Sequence, residues 1–312
     1  MSVDEIDRHI KTEETMKQDL HAEVTARIVA QLETGVRPWM RPWTTGESVA
    51  GRPLRATGEP YRGINTLILW EASLIRGYHA PTWITFRQAR AEGGTVRRGE
   101  HGATVVYSSA LTRTDVDPET GEEAETRIPF LKSYTVFNVE QCDGLPDRLT
   151  APLPACPEPE RIAAAEAFIA ATGARIEAGG GRAFYAPARD MIGMPARTAF
   201  RDAHGWYATL LHELTHWTGH PARCHRQFGR RFADQAYARE ELVAELGAAF
   251  LCADLGVALT PREDHAAYLA SWLDVLRADK RAIFQAASFA ARAVDYLHAL
   301  QAAASGVGQA VA

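Results

Sequence analysis

Apolar positions follow a helical rhythm early in the chain. Leu20, Val24, Ile28 and Leu32 recur every fourth residue after a polar start, and Gly35 ends the run. Arg37-Pro38-Trp39-Met40-Arg41-Pro42-Trp43 follows, where two prolines forbid a regular helix and leave both tryptophans on a turn or extended segment. Residues 65–76 predict a buried helix closed by Gly77, and residues 82–92 a second short one before Gly93-Gly94. Residues 103–108 and 129–139 are rich in β-branched and aromatic side chains and predict strands. The polar stretch 113–127 between them reads as a long hairpin loop. Five prolines within residues 143–160 make a stiff spacer.

The pattern changes beyond that spacer. A helix over residues 161–172 ends at Gly173, and three short segments, 174–178, 182–186 and 190–194, read as a small antiparallel sheet. From residue 198 onward the periodicity is almost wholly helical. The expected class is α+β: an α+β domain over residues 17–145, a Pro-rich linker at 146–160, and a mostly helical domain with a small sheet over 161–305.

Charge is unevenly spread. The chain of 312 residues carries a net charge of −5, yet residues 27–98 hold eleven Arg and five Glu with neither Lys nor Asp. A basic block inside an acidic chain suits an anionic partner, and equally suits a solvated Arg-rich surface. The four cysteines form no CxxC pair, which argues against thiolate zinc clusters and redox motifs. Residues 1–20 lack the apolar core of a signal peptide, and no apolar run reaches membrane-spanning length. A cytoplasmic protein without membrane partners is expected.

The strongest chemical signal is His212-Glu213-Leu214-Thr215-His216. On a helix, His212 and His216 share a face and can offer two imidazole nitrogens to one zinc ion. Glu213, about 100° round the helix, lies beside such an ion and can act as general base and then general acid. A third protein ligand is needed. The helix expected around residues 238–250 offers Glu241 and Glu245 on one face, with small residues at Ala244, Gly247 and Ala248 for close packing. Glu240 reads as a solvated charge. His220 and His225 are the next candidates.

These residues carry a family resemblance. Tyr61-Arg62-Gly63-Ile64-Asn65, residues 134–141 (YTVFNVEQ), the HELTHWTGH run to His220 and EELVAELGAAF from Glu240 resemble the ArdC-type antirestriction proteins of conjugative plasmids over residues 17–300. The resemblance implies an N-terminal single-stranded-DNA-binding domain, a C-terminal zincin-like metallopeptidase domain holding one zinc per chain, and protection of incoming DNA from restriction. Similarity to HExxH…E peptidases that cleave phage-type repressors implies Glu241 as third ligand and Glu245 behind it. The partners so implied are single-stranded DNA and a protein substrate or restriction enzyme. Two rivals share the same parts: a DNA-binding protein with a non-catalytic zinc scaffold, and a DNA-dependent protease acting on DNA-bound or repressor proteins.

For DNA, four of the seven tryptophans fall in the Arg-rich block. Single-strand binders stack bases on aromatics along a basic groove. Trp39, Trp43 and Trp83 are candidate stacking residues, whereas Trp70 reads as core. Tyr61, Asn65, Tyr107 and Tyr134 are candidates for the groove wall, and Arg37, Arg41, Arg62, Arg97 and Arg98 for phosphate contacts.

Overall fold

The computed structural model describes residues 19–40, 51–116, 123–151, 157–228, 235–259 and 265–307. Arg41, Trp43 and the centre of the Pro-rich spacer lie outside them.

Helix α1, Leu20–Glu33, starts at Asp19, whose carboxylate accepts from the Ala22 amide at 3.2 Å, and it buries the expected stripe of Val24, Ile28 and Leu32. A short strand β1, Leu54–Arg55, precedes α2, Ile64–Arg76, which ends on a left-handed Gly77 as the sequence predicts. The helix expected over residues 82–92 is instead strand β2, Thr82–Ile84, and helix α3, Phe86–Ala91. Thr85 divides them, because its side chain and that of Gln88 form a reciprocal capping box.

After β3, Thr95–Val96, the chain forms a long hairpin of β4, Ala103–Val116, and β5, Glu123–Asn138. Pairing continues from Ala103↔Val136 to Val116↔Glu123, so strand runs through most of the expected loop. The sheet order is β1-β2-β5-β4, with β1 parallel to β2 and the other neighbours antiparallel. Strand β6, Cys142–Asp143, pairs with β3, and α4, Asp147–Thr150, falls inside the expected linker.

The second half holds α5, Glu158–Ala171, then β7, Arg175–Ala178, β8, Phe184–Ala186, and β9, Met191–Met194. The expected small sheet is present but mixed, with order β7-β9-β8. Strand β7 runs parallel to β9, and only β8 is antiparallel to it. Helices α6, Ala203–Thr218, α7, Gln235–Leu255, α8, His265–Ala278, and α9, Ala282–Val307, complete the chain.

The packing crosses the expected domain boundary. Val24, Ile28, Leu32, Trp39, Leu67, Ile68 and Trp70 share one core with the helices of the second half. Trp70 lies 5.8 Å from Phe250, and Trp39 meets Trp272 edge-on at 6.0 Å. Helix α2 can do this because it is apolar on two faces: Leu69 joins the sheet cluster of Trp83, Val105 and Val136 instead. Arg52 adds a two-pronged bond to Asp254 of α7, at 2.6 and 2.8 Å.

Candidate metal centre

Helix α6 is capped by Asp202, whose carboxylate accepts from the Gly205 amide at 2.7 Å. Its C-terminal turns are wholly buried because α7 lies against them. Gly247 permits that approach, since a Cβ there would stand 2.5 Å from Thr215 Cγ2. The two helices therefore bring His212 and His216 against the carboxylate face of α7.

Three side chains converge. His212 Nε2 and His216 Nε2 are 3.1 Å apart, and each lies 3.5 Å from an oxygen of Glu241. Four ligands arranged tetrahedrally at about 2.0–2.1 Å from zinc stand about 3.3 Å from one another. The observed triangle matches that edge, so the donor set fits a divalent ion. Among the described residues, His212, His216 and Glu241 form the one cluster able to hold a metal. His220 and His225 do not join it: His220 Nδ1 accepts from the Ala222 amide, and His225 is exposed with φ 51°.

Electrostatics agree with this. Burial pushes the Glu241 carboxyl up, but His212 and His216 outweigh it and hold the group far below its usual range. Burial likewise opposes charge on His216, yet Glu240 and Glu241 push its pKa up to about 10. Two imidazoles and a carboxylate held this close in a buried site favour a shared cation.

Glu240 corrects the sequence reading. It is 5 % exposed rather than solvated. Its Oε1 lies 3.2 Å from His216 Nδ1, and the Arg226 guanidinium grips both carboxylate oxygens at 2.9–3.3 Å. With the proton on Nδ1, the His216 Nε2 lone pair faces the ligand triangle. Arg226 is invisible as a site residue in the sequence, because nothing local pairs it with a glutamate fourteen positions away.

Glu245 approaches the other histidine. Its Oε2 lies 3.7 Å from His212 Nδ1, a buried nitrogen without a hydrogen bond. A shift of about 1 Å would close that bond.

Glu213 is 3 % exposed and lines a cleft of about 800 Å³ that opens onto His212 and His216. Edge strand β8 supplies Phe184 and Tyr185 to one wall, and α7 and α8 supply Tyr237 and Tyr268 to another. The two tyrosine hydroxyls are 3.1 Å apart.

The DNA candidates scatter. Trp39, Tyr61 and Trp83 are 1 %, 3 % and 1 % exposed, so none is open to a stacked base. Their apolar surface fills the cores described above, which outweighs any preference for a surface role. Asn65 clamps the sheet, donating to Val106 O at 2.7 Å and accepting from its amide at 2.8 Å. Arg37 turns inward toward Glu245. Arg62, Arg97 and Arg98 are exposed, with Arg62 paired to Asp295 and Arg97 to Glu100 and Asp143. Tyr107, 44 % exposed, and half-buried Tyr134 lie 5.9 Å apart on the hairpin. No helix among the described residues is long and apolar enough to cross a membrane.

Known proteins are similar to this chain in sequence and fold. Residues 18–137 match the family described as the N-terminal domain of anti-restriction factor ArdC, and residues 163–289 the zincin-like metallopeptidase family. The crystal structure of the antirestriction ArdC protein from plasmid R388, in its metal-free form, is 46 % identical with a TM-score of 0.77, over 92 % of this chain and 99 % of that one. Its Mn(II)-bound form gives 44 % and 0.75, over 91 % and 99 %. The uncharacterised protein y4eC of Sinorhizobium fredii is 43 % identical over 91 % of this chain and 92 % of its own. A DNA primase TraC of Escherichia coli is 38 % identical over 92 % of this chain, which spans 28 % of the primase.

Proposed function

Since the chain belongs to the ArdC family of antirestriction proteins and carries a zincin-like domain, we propose that it is a zinc protein that binds single-stranded DNA, protects incoming DNA from restriction and has a peptidase-type centre. The observation that carries the reading is the ligand triangle of His212, His216 and Glu241 beside Glu213 in an open cleft. One zinc per chain suits two imidazoles and a carboxylate on HExxH geometry. The Mn(II)-bound relative fits the same donors, which also suit other divalent ions.

His212, His216 and Glu241 would hold the ion, which when bound would supply Lewis acidity, lowering the pKa of a water and polarising a carbonyl. Glu213 takes the proton from the attacking water and passes it to the leaving amine. Glu240 and Arg226 hold His216 in the ligating tautomer. Among the described residues strand β8 pairs with β9 alone and lies at the edge of its sheet along the cleft, a position that suits an extended protein segment.

The surface arginines Arg62, Arg97 and Arg98, with Tyr107 and Tyr134 on the hairpin, support a single-strand surface. That surface excludes Trp39, Tyr61 and Trp83 in the packing seen here.

The deciding experiment compares protection of transferred DNA by wild type and Glu213→Gln, with metal content measured on both. Loss of protection at full metal content supports peptidase action. Equal protection leaves a DNA-binding protein whose metal is a scaffold.

A further inference from the structure

Trp39 belongs by sequence to the N-terminal half, yet its indole reaches the metal centre of the other. Its Nε1–H donates to Glu245 Oε1 at 3.3 Å, and Arg37 Nη1 stands 4.0 Å from the same oxygen. The second oxygen of Glu245 faces His212 Nδ1 at 3.7 Å. One carboxylate, 2 % exposed, is therefore gripped on one side by residues 37–39 and turned toward a histidine of the ligand triangle on the other. The edge-on contact with Trp272 fixes the indole plane that aims the N–H.

We infer that Trp39 is a positioning residue for the metal centre, acting through Glu245 on His212, so that the N-terminal half completes the metal site of the C-terminal half. The inference rests on the assignment of His212, His216 and Glu241 as ligands. A ligating histidine commonly donates its far N–H to a carboxylate, and loss of that partner costs about 10–100-fold in metal affinity. Trp39 stands one layer further out, so its loss is expected to cost about three- to tenfold. By reciprocity, metal binding tightens the seat of residues 37–39. This is the stretch that leads into Arg41 and Trp43.

The test is a zinc competition titration against a chromophoric chelator on the full chain. Trp39→Phe keeps an aromatic ring beside Trp272 and removes the donor together with part of the indole's buried volume. It should bind zinc about three- to tenfold more weakly. Glu245→Gln should lose more, and the double variant no more than Glu245→Gln alone. Trp70→Phe removes another buried indole donor, to Gly51 O, and should leave zinc affinity unchanged. Should Trp39→Phe fail to fold, Arg37→Met carries the same direction. Wild-type affinity in Trp39→Phe, multiplying effects in the double variant, or an equal loss in Trp70→Phe would each overturn the inference. A wild-type chain that takes up no zinc, manganese or other divalent ion would instead overturn the ligand assignment itself.

Discussion

Arg226→Met offers a stringent check on the buried array behind His216. Arg226 is 4 % exposed and donates to Glu240, to Thr218 Oγ1 at 2.8 Å and to Thr215 O at 2.6 Å. Methionine fills similar space without the charge. Among the described residues Glu240 would then keep only His216 as a partner, and Thr218 Oγ1 would lose the Arg226 donor, while Thr215 O would still accept from the Thr218 hydroxyl at 2.6 Å. Breaking a buried pair on one side costs about 3–5 kcal/mol. The remaining hydrogen bond to His216 Nδ1 places this case at the lower end, about 3 kcal/mol. The midpoint of thermal unfolding monitored by circular dichroism should fall by roughly 4–5 °C, from an unfolding entropy of about 2.1 cal/mol/K per residue over 312 residues. Adding Glu240→Gln removes the stranded charge while its amide oxygen still accepts from His216. The double variant should therefore recover at least about 1 kcal/mol relative to Arg226→Met. A midpoint within about 2 °C of wild type, or a double variant less stable than Arg226→Met, would refute the reasoning.

Other outcomes follow from the same packing. Glu241→Gln should empty the centre under mild chelation, read by metal analysis after dialysis, whereas Glu240→Gln should retain metal with affinity reduced about 10–100-fold. Gly247→Val should lower stability by about 1–3 kcal/mol in a denaturant titration, because the added carbons meet fully buried Thr215. Arg62→Ala and Arg98→Ala should each reduce the salt slope of single-strand binding by about 0.7 for every phosphate that the arginine neutralises, with fluorescence anisotropy across a salt series as the readout. A fragment ending at Leu145 would leave Val24, Ile28, Leu32, Trp39 and Trp70 without their partners. It should aggregate or bind a hydrophobic dye, while chain nicked between α4 and α5 should stay associated on gel filtration.

Local chemistry is legible in the sequence. The HELTH spacing places two imidazoles on one helix face, Gly77 and Gly173 end their helices, and Gly247 marks a close approach. The pairing of Glu241 with that motif comes from family resemblance, and the three side chains lie together in the structure. These features depend on residues within a turn or two of one another, or on a motif that several stretches share. Glu240, Arg226 and Trp39 are different. A glutamate between an arginine and a second glutamate looks solvated, a tryptophan between arginines looks like a base-stacking ring, and only long-range packing reverses both readings. Helix α1 and the Trp39 turn bury their apolar surface in the core of the second-half helices, while Leu69 of α2 joins the sheet cluster. Hydrophobic burial has no direction along the chain, so a periodic stripe announces that a face will be covered without naming what covers it.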